Sequence, residues 1–180
     1  MPGGRWRTPL RACLEYRVSS TDCLSLFLDA GEDPNGQADP SDPTALKRAA
    51  MQDNRDATTM LLLQDGVNVH HVHNWENVAH RLVRSGDIDN FNFLLEKYLT
   101  INLRQEGSTG TPLHAAFPNS DEFTDGHDEI VRILLEKGLE LGDCGPELYI
   151  DITQGLTSMR DWLLKGGRDV PALIRRMVGL

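Results

Sequence analysis

One short pattern recurs along this chain at nearly constant spacing, and it constrains the fold more than any other feature. Helix-like segments begin near residues 8, 44, 77, 111 and 146, so successive starts are 36, 33, 34 and 35 residues apart. The clearest copies are Thr8-Pro9-Leu10-Arg11-Ala12 and Thr111-Pro112-Leu113-His114-Ala115. A sequence period of about 20–50 residues predicts stacked units that share a continuous core. We therefore expect one all-α array over residues 1–180.

Each unit continues with a Leu-rich apolar segment and then a residue that stops a helix. The apolar segments lie at residues 23–28, 60–63, 91–95, 130–135 and 159–164. The stops are Gly31, Gly66, Tyr98, Gly138 and Gly167. Glycine suits the position after a helix because it adopts positive φ angles without steric cost. Each unit is therefore predicted to contain two helices, with a less sharp ending at Tyr98.

The Thr-Pro-Leu-His-Ala pattern and the period of about 33 residues resemble those of ankyrin repeats. The resemblance extends over about residues 6–170 and is clearest in the first and fourth units. It implies an ankyrin-repeat solenoid of stacked helix-turn-helix units with short β-turn fingers, whose concave face binds another protein. It also implies that His114 makes structural hydrogen bonds between units and that Cys13 fills a small buried position.

Two segments depart from the repeat. Residues 171–179 carry an apolar stripe of Leu173, Ile174, Met177 and Val178, which predicts a C-terminal capping helix packed on the last unit. Residues 119–126 insert an acidic loop around Phe123 into the fourth unit. An insertion of this kind either marks a binding face or reflects tolerated loop growth, and the sequence leaves both interpretations open.

Composition narrows the class of partner. The formal net charge is −9, from 18 basic and 27 acidic residues, which argues against nucleic-acid binding because that requires clustered lysines and arginines. The longest strongly apolar run, residues 60–63, is far shorter than the ~20 residues that span a bilayer, so we expect no membrane association. Cys13, Cys23 and Cys144 form an odd, sparse set without CxxC spacing. This favours reduced thiols and a cytoplasmic location.

The concave face implied by the resemblance gathers a distinctive set of side chains. Residues 70–76 read His-His-Val-His-Asn-Trp-Glu in the second finger, and arginines lie on the helices on either side. Trp and Arg are the commonest interface anchors, and grouped arginines suit a partner with an acidic or aromatic anchor. The predicted partner-binding residues are Tyr16, Arg48, Met51, His71, His73, Trp75, Arg81 and Arg84. The alternative is a scattered, solvated set with Trp75 packed under its own finger.

Metal binding and catalysis are alternatives for the same histidines. The imidazoles at positions 70, 71, 73 and 80 suit zinc, copper or nickel. However, no cysteine pair or regular His pair completes a closed site, so we expect no metal and no cofactor. An enzyme would use His71 or His73 with Glu76 as an acid–base pair, or His127 with Asp128. No GxSxG, P-loop, GxGxxG or HExxH motif accompanies them.

The expected function is therefore protein–protein interaction through the concave groove, and we expect binding rather than catalysis. The runner-up is a small-molecule or catalytic ankyrin protein that uses the His, Trp and Arg side chains of the same groove. A closed pocket of a few hundred Å³ between the second and third fingers would favour the small molecule. An open groove with an exposed Trp75 would favour a protein.

Overall fold

The structure, a computed structural model, describes residues 8–15, 21–107, 110–117 and 123–139, together with positions 157, 161 and 165. Within these residues it is helical, with eight α-helices, two isolated β-bridges and no β-strand. The helices are α1 (Pro9–Glu15), α2 (Asp22–Asp29), α3 (Ala45–Met51), α4 (Arg55–Leu63), α5 (Val78–Arg84), α6 (Ile88–Lys97), α7 (Pro112–Ala115) and α8 (Asp125–Glu136). The predicted all-α class is confirmed for this part of the chain.

Four helices begin where the recurring pattern predicts. α1, α3, α5 and α7 follow directly after residues 8, 44, 77 and 111. The side chains of Thr8 and Thr44 accept hydrogen bonds from the backbone N–H groups of Arg11 and Lys47, each at 3.3 Å. These bonds satisfy donors that have no partner inside the first helical turn. The start near residue 146 and the capping helix 171–179 lie outside the described residues.

The predicted glycine stops lie after three of the second helices, directly after the C-cap residue in α2 and α8 and two residues after the C-cap residue Gln64 in α4. Gly31, Gly66 and Gly138 follow α2, α4 and α8 with φ angles of +86°, +72° and +73°. The backbone there takes the left-handed conformation that glycine adopts most readily. Tyr98 caps α6 with a φ of −121° instead, which confirms a different ending for the third unit. Gly167 lies outside the described residues.

The helices contact one another in pairs and in two rows. α1 contacts α2, α3 contacts α4, and α5 contacts α6. The first-helix row, which we define as α1, α3, α5 and α7, has contacts between each successive pair, and in the second-helix row α4 contacts α6 and α6 contacts α8. The motif leucines Leu10, Leu46 and Leu113 are all buried in the core that these rows share. Packing between neighbouring pairs therefore supplies the core, with no single centre.

Polar bonds join each unit to the next at a regular sequence distance. The Asn35 side-chain amide donates to the carbonyl of Gly66 at 2.9 Å, and the Tyr98 hydroxyl donates to the carbonyl of Leu62 at 3.0 Å. Arg104 donates to the carbonyl of Gly138 at 2.8 Å. Each bond satisfies a carbonyl near the end of a helix or in the turn after it. The hydrogen bonds between units therefore recur at about the same spacing as the sequence pattern.

The cysteines differ from the sequence prediction. A disulfide joins Cys13 of α1 to Cys23 of α2, with Cα atoms 6.0 Å apart. This distance lies within the range that a disulfide spans without backbone movement. The prediction of reduced thiols is therefore wrong for this pair, because pairing of α1 with α2 brings together residues that their spacing did not connect. The cysteines therefore no longer support the prediction of a cytoplasmic location. Cys144 lies outside the described residues.

The end of the fourth-unit insertion packs into the core. Residues 118–122 lie outside the description, but Phe123 is buried and its ring contacts the His127 ring, with centroids 5.6 Å apart. A Cβ added to Gly126 would overlap the carbonyl oxygen of Gly86, so the start of α8 presses against the turn between α5 and α6. Phe123 thus anchors the end of the loop. None of the described helices has the length and apolar character needed to cross a bilayer.

Candidate functional site

The second finger, residues 71–76, ends in a tight two-residue turn. His73 and Glu76 exchange two backbone hydrogen bonds, of 3.0 and 3.2 Å. Between them, Asn74 and Trp75 have φ angles of +51° and +66°. Positive φ at both central positions is the pattern of a type I′ turn, in which glycine is the favoured second residue. A matching pair of bonds joins Gly107 to Gly110, which places the next finger 34 residues later.

Trp75 occupies this turn without being packed. Its residue surface is 73% exposed, so the alternative in which it packs under its own finger is wrong. A left-handed conformation costs a non-glycine residue about 1–2 kcal/mol. The finger therefore presents a large aromatic ring to solvent at a backbone position that disfavours it. Strain of this kind concentrates at functional positions.

Behind the finger, the Glu76 carboxylate is buried among three cations. Its oxygens lie 3.0 Å from a terminal nitrogen of Arg84, 3.5 Å from Nε of Arg81 and 3.9 Å from Nζ of Lys47. We call these four residues the Glu76 cluster. Burial raises the pKa of Glu76, but the attraction of Arg84, Lys47 and Arg81 outweighs it, and the pKa is lowered overall. The carboxylate stays ionised and holds both arginines in place.

Lys47 is the member of this cluster that the sequence prediction missed. Its Nζ donates to the carbonyl of Asn77 at 2.6 Å, and its side chain is only 2% exposed. Burial lowers the pKa of Lys47 to about 7, Glu76 opposes the shift, and Arg81 and Arg84 add to it. The signal was available, because Lys47 occupies the position that His114 holds in the fourth copy of the pattern.

His80 fills the equivalent position in the third unit and has a structural role. Its ring nitrogens lie 2.9 Å from the Asn77 side-chain oxygen and 3.1 Å from the carbonyl of Gly110. Burial lowers the pKa of His80 to about 4, against the opposing hydrogen bond with Gly110. A neutral His80 therefore joins the third unit to the fourth. His114 also makes a local contact, accepting from the backbone N–H of Thr111 at 3.0 Å.

The finger histidines stand apart from the ion pairs of the Glu76 cluster. His71 lies 3.4 Å from the side-chain nitrogen of Gln37 in the preceding unit. Burial lowers the pKa of both His71 and His73, and the charge of Lys47 adds to the shift. The Glu76 carboxylate makes ion pairs with Arg84, Arg81 and Lys47, and the pairing of a histidine with Glu76 stays a prediction of the enzyme alternative. Within the described part of the chain, no group of three His, Cys, Asp or Glu residues could hold a metal ion.

The remaining predicted partner-binding residues lie along the first-helix row. Arg48 of α3 is partly exposed and has a terminal nitrogen 3.8 Å from a carboxylate oxygen of Glu15 on α1. Arg81 occupies the next helix of the row, 33 residues later, and it is also partly exposed. Met51 ends α3 and is half-buried. Tyr16 lies outside the described residues.

A cleft of about 410 Å³ lies toward the other end of α5 from the second finger. We call it the arginine cleft, and its lining residues are Met51, Asp53, Arg55, Arg81, Arg84, Ser85, Thr124 and His127. The sequence prediction included only three of them, because the cleft gathers residues from three units. It also differs from the expected pocket between the fingers, since it lies where α3 and α5 end and where α4 and α8 begin.

His127 is a structural residue of this cleft. Its Nδ1 accepts from the backbone N–H of Thr124 at 3.2 Å, and its Nε2 lies 3.0 Å from the carbonyl of Arg84. Asp128 instead accepts from Arg132 at 3.0 Å. Both ring nitrogens of His127 thus have backbone contacts that fix the start of α8. This arrangement does not resemble the acid–base pair considered for His127 and Asp128.

Neither a protein-family model nor a curated protein sequence matches this chain.

Proposed function

We propose that this chain is an ankyrin-repeat protein that binds a partner protein through the concave face formed by its fingers and its first-helix row. Trp75 carries the proposal. The residue is 73% exposed and its backbone has a φ of +66°, so packing within the fold does not explain a tryptophan at this position. An exposed aromatic side chain on a rigid turn is the kind of anchor that dominates protein interfaces.

The repeat assignment has support from geometry as well as from the motif. Helices α1 to α6 contact in successive pairs, and the paired backbone bonds of the second finger recur 34 residues later at Gly107 and Gly110. Lys47 and His80 each bond to a backbone carbonyl 30 residues further along the chain. These equivalences match the stacking of ankyrin units that the Thr-Pro-Leu-His-Ala pattern implies.

The partner is proposed to present an acidic group beside an aromatic anchor. In the Glu76 cluster, the partly exposed Arg81 and Arg84 share one carboxylate with the buried Lys47, so the exposed groups of the cluster carry positive charge. This contrasts with the net charge of −9 for the whole chain. Complementary charge sets orientation and association rate. The described fingers and helices need little reordering, which keeps the entropic cost of binding low.

The test compares two exposed apolar side chains. Trp75→Ala removes the proposed anchor, and Leu99→Ala removes a side chain that is 86% exposed and lies after α6. The full-length chain and both variants are immobilised, proteins captured from extracts of the native cell are identified by mass spectrometry, and the affinity of each purified candidate is measured. We expect Trp75→Ala to weaken a partner by about 30-fold or more, as for an interface hot spot.

Leu99→Ala should bind that same partner within about twofold of the parent chain, as expected for an exposed residue outside the interface. Circular dichroism spectra of both variants should match the parent spectrum. The proposal is contradicted if no captured protein loses affinity with Trp75→Ala, or if both variants lose affinity equally.

A further inference from the structure

The arginine cleft offers a second binding chemistry, and it shares Arg81 and Arg84 with the Glu76 cluster. Arg55, Arg81 and Arg84 line it, and among the described lining residues Asp53 supplies the one carboxylate. Arginine presents several N–H donors in a planar fork, which matches the oxygen atoms of carboxylate and phosphate groups. Three guanidinium groups around one cleft therefore favour an anionic occupant.

Two of these arginines are already held in position by contacts behind the cleft. Arg84 and Arg81 lie 3.0 and 3.5 Å from oxygens of the buried Glu76 carboxylate. Arg55 has its Nε 4.0 Å from a carboxylate oxygen of Asp87, while its own side chain is 54% exposed. A guanidinium group that is already positioned loses less conformational entropy when a ligand arrives. The arginine side chains of the cleft are therefore preorganised to bind an anion.

The size and lining of the cleft indicate what kind of molecule carries the anionic group. About 410 Å³ lies within the ordinary range of small-molecule sites and exceeds the volume of a phosphoryl group alone. Hydroxyl groups of Ser85 and Thr124 and the carboxylate of Asp53 supply further polar contacts, and Met51 is the apolar side chain among the described residues of the lining. None of these lining residues is a Phe, Tyr or Trp that would stack on a nucleobase.

We propose that the arginine cleft binds a phosphate monoester of a small polyhydroxylated molecule, such as a sugar phosphate. The arginines hold the phosphoryl oxygens, since a tetrahedral dianion offers acceptors to more than one guanidinium fork. Asp53 accepts hydrogen bonds from ligand hydroxyl groups, and the Ser85 and Thr124 oxygens complete the polar surface. This site extends beyond the proposed partner surface. It shares Met51, Arg81 and Arg84 with the first-helix row, but neither Trp75 nor its finger lines it.

The test uses isothermal titration calorimetry on the full chain at low ionic strength. Glucose 6-phosphate is the probe, inorganic phosphate tests the phosphoryl contacts alone, and glucose is the uncharged control. We expect glucose 6-phosphate to bind one site per chain, inorganic phosphate to bind more weakly, and glucose to give no signal. Arg55→Gln should weaken glucose 6-phosphate at least tenfold, because it removes charge-assisted hydrogen bonds from a half-exposed side chain.

The matched control is Arg132→Gln. Arg132 is partly exposed and lies on α8, paired with Asp128 and outside the cleft lining. This variant should keep the affinity within about twofold. Equal losses in the two variants would mean attraction to surface charge only and would overturn the proposal. So would the absence of binding at millimolar glucose 6-phosphate, or a phosphoserine peptide that binds while glucose 6-phosphate does not.

The proposals for the partner surface and for the arginine cleft can be tested independently of each other. Trp75→Ala should bind glucose 6-phosphate as the parent chain does, because Trp75 is not part of the cleft lining. Arg55→Gln should still capture the protein partner, because Arg55 is not among the finger residues. Loss of phosphate affinity in Trp75→Ala would contradict the separation of the two sites.

Discussion

The finger turn allows its backbone strain to be measured independently of any partner. Trp75 has a φ of +66° between two backbone hydrogen bonds, of 3.0 and 3.2 Å, that join His73 to Glu76. We compare Trp75→Ala with Trp75→Gly. Both variants lose the same indole ring, so its remaining contacts cancel in the comparison. The difference in free energy of unfolding then reports what a Cβ costs in this conformation.

The expected difference follows from two opposing terms. A non-glycine residue in the left-handed region costs about 1–2 kcal/mol, and glycine gives back about 0.5–1 kcal/mol because its unfolded chain has more conformational freedom. Trp75→Gly should therefore be more stable than Trp75→Ala by about 0.5–1 kcal/mol. In a chain of this length, each kcal/mol corresponds to a Tm difference of roughly 2–4 °C.

Urea unfolding followed by circular dichroism measures this difference. The control is the same pair of substitutions at Glu129, an exposed residue within α8. There the order should reverse, with alanine more stable than glycine by about 1 kcal/mol, because helical φ angles favour alanine. If Trp75→Ala equals or exceeds Trp75→Gly in stability, the finger is not strained, and the main reason for assigning function to Trp75 disappears.

Two further predictions concern contacts between units. Gly126→Ala should lower the free energy of unfolding by about 1–3 kcal/mol, because its Cβ would overlap the carbonyl oxygen of Gly86; a value near zero in urea unfolding would contradict this packing. Burial lowers the pKa of Lys47 to about 7, so between pH 7 and its ordinary pKa the unfolded chain binds more protons and stability rises with pH. Lys47→Met should flatten that rise, and parallel curves of stability against pH would contradict the assignment.

The local signals of the repeat could be read from the sequence because they act over a few residues. A threonine cap and the turn that follows a helix each depend on chemistry within one or two turns. Thr44 accordingly caps α3, and Gly31 follows the C-cap residue of α2 in the left-handed conformation, as the pattern predicts. The ending at Tyr98 could also be anticipated, since no glycine follows α6 at the expected distance. Because the caps and helix endings recur in several units, a weak signal in one unit is supported by its copies in the others.

The sites were harder to predict because they combine residues from different units. Lys47 and Glu76 are 29 positions apart, and their ion pair depends on how α3 packs beside the second finger. Arg55 joins the arginine cleft from the start of α4, which lies outside the first-helix row and the fingers. The Cys13–Cys23 disulfide depends in the same way on pairing of α1 with α2. Such contacts follow from packing geometry, which sequence spacing alone does not specify.

Glu76 explains how one acidic chain can present arginines on two surfaces. A buried ion pair contributes little net stability, because desolvation of both charges offsets their attraction. The 3.0 and 3.5 Å contacts of Glu76 with Arg84 and Arg81 are therefore better understood as fixing the positions of these side chains. Because both arginines also line the cleft, one carboxylate positions the same two guanidinium groups for both proposed sites. The two sites are distinct in their ligands but share this support.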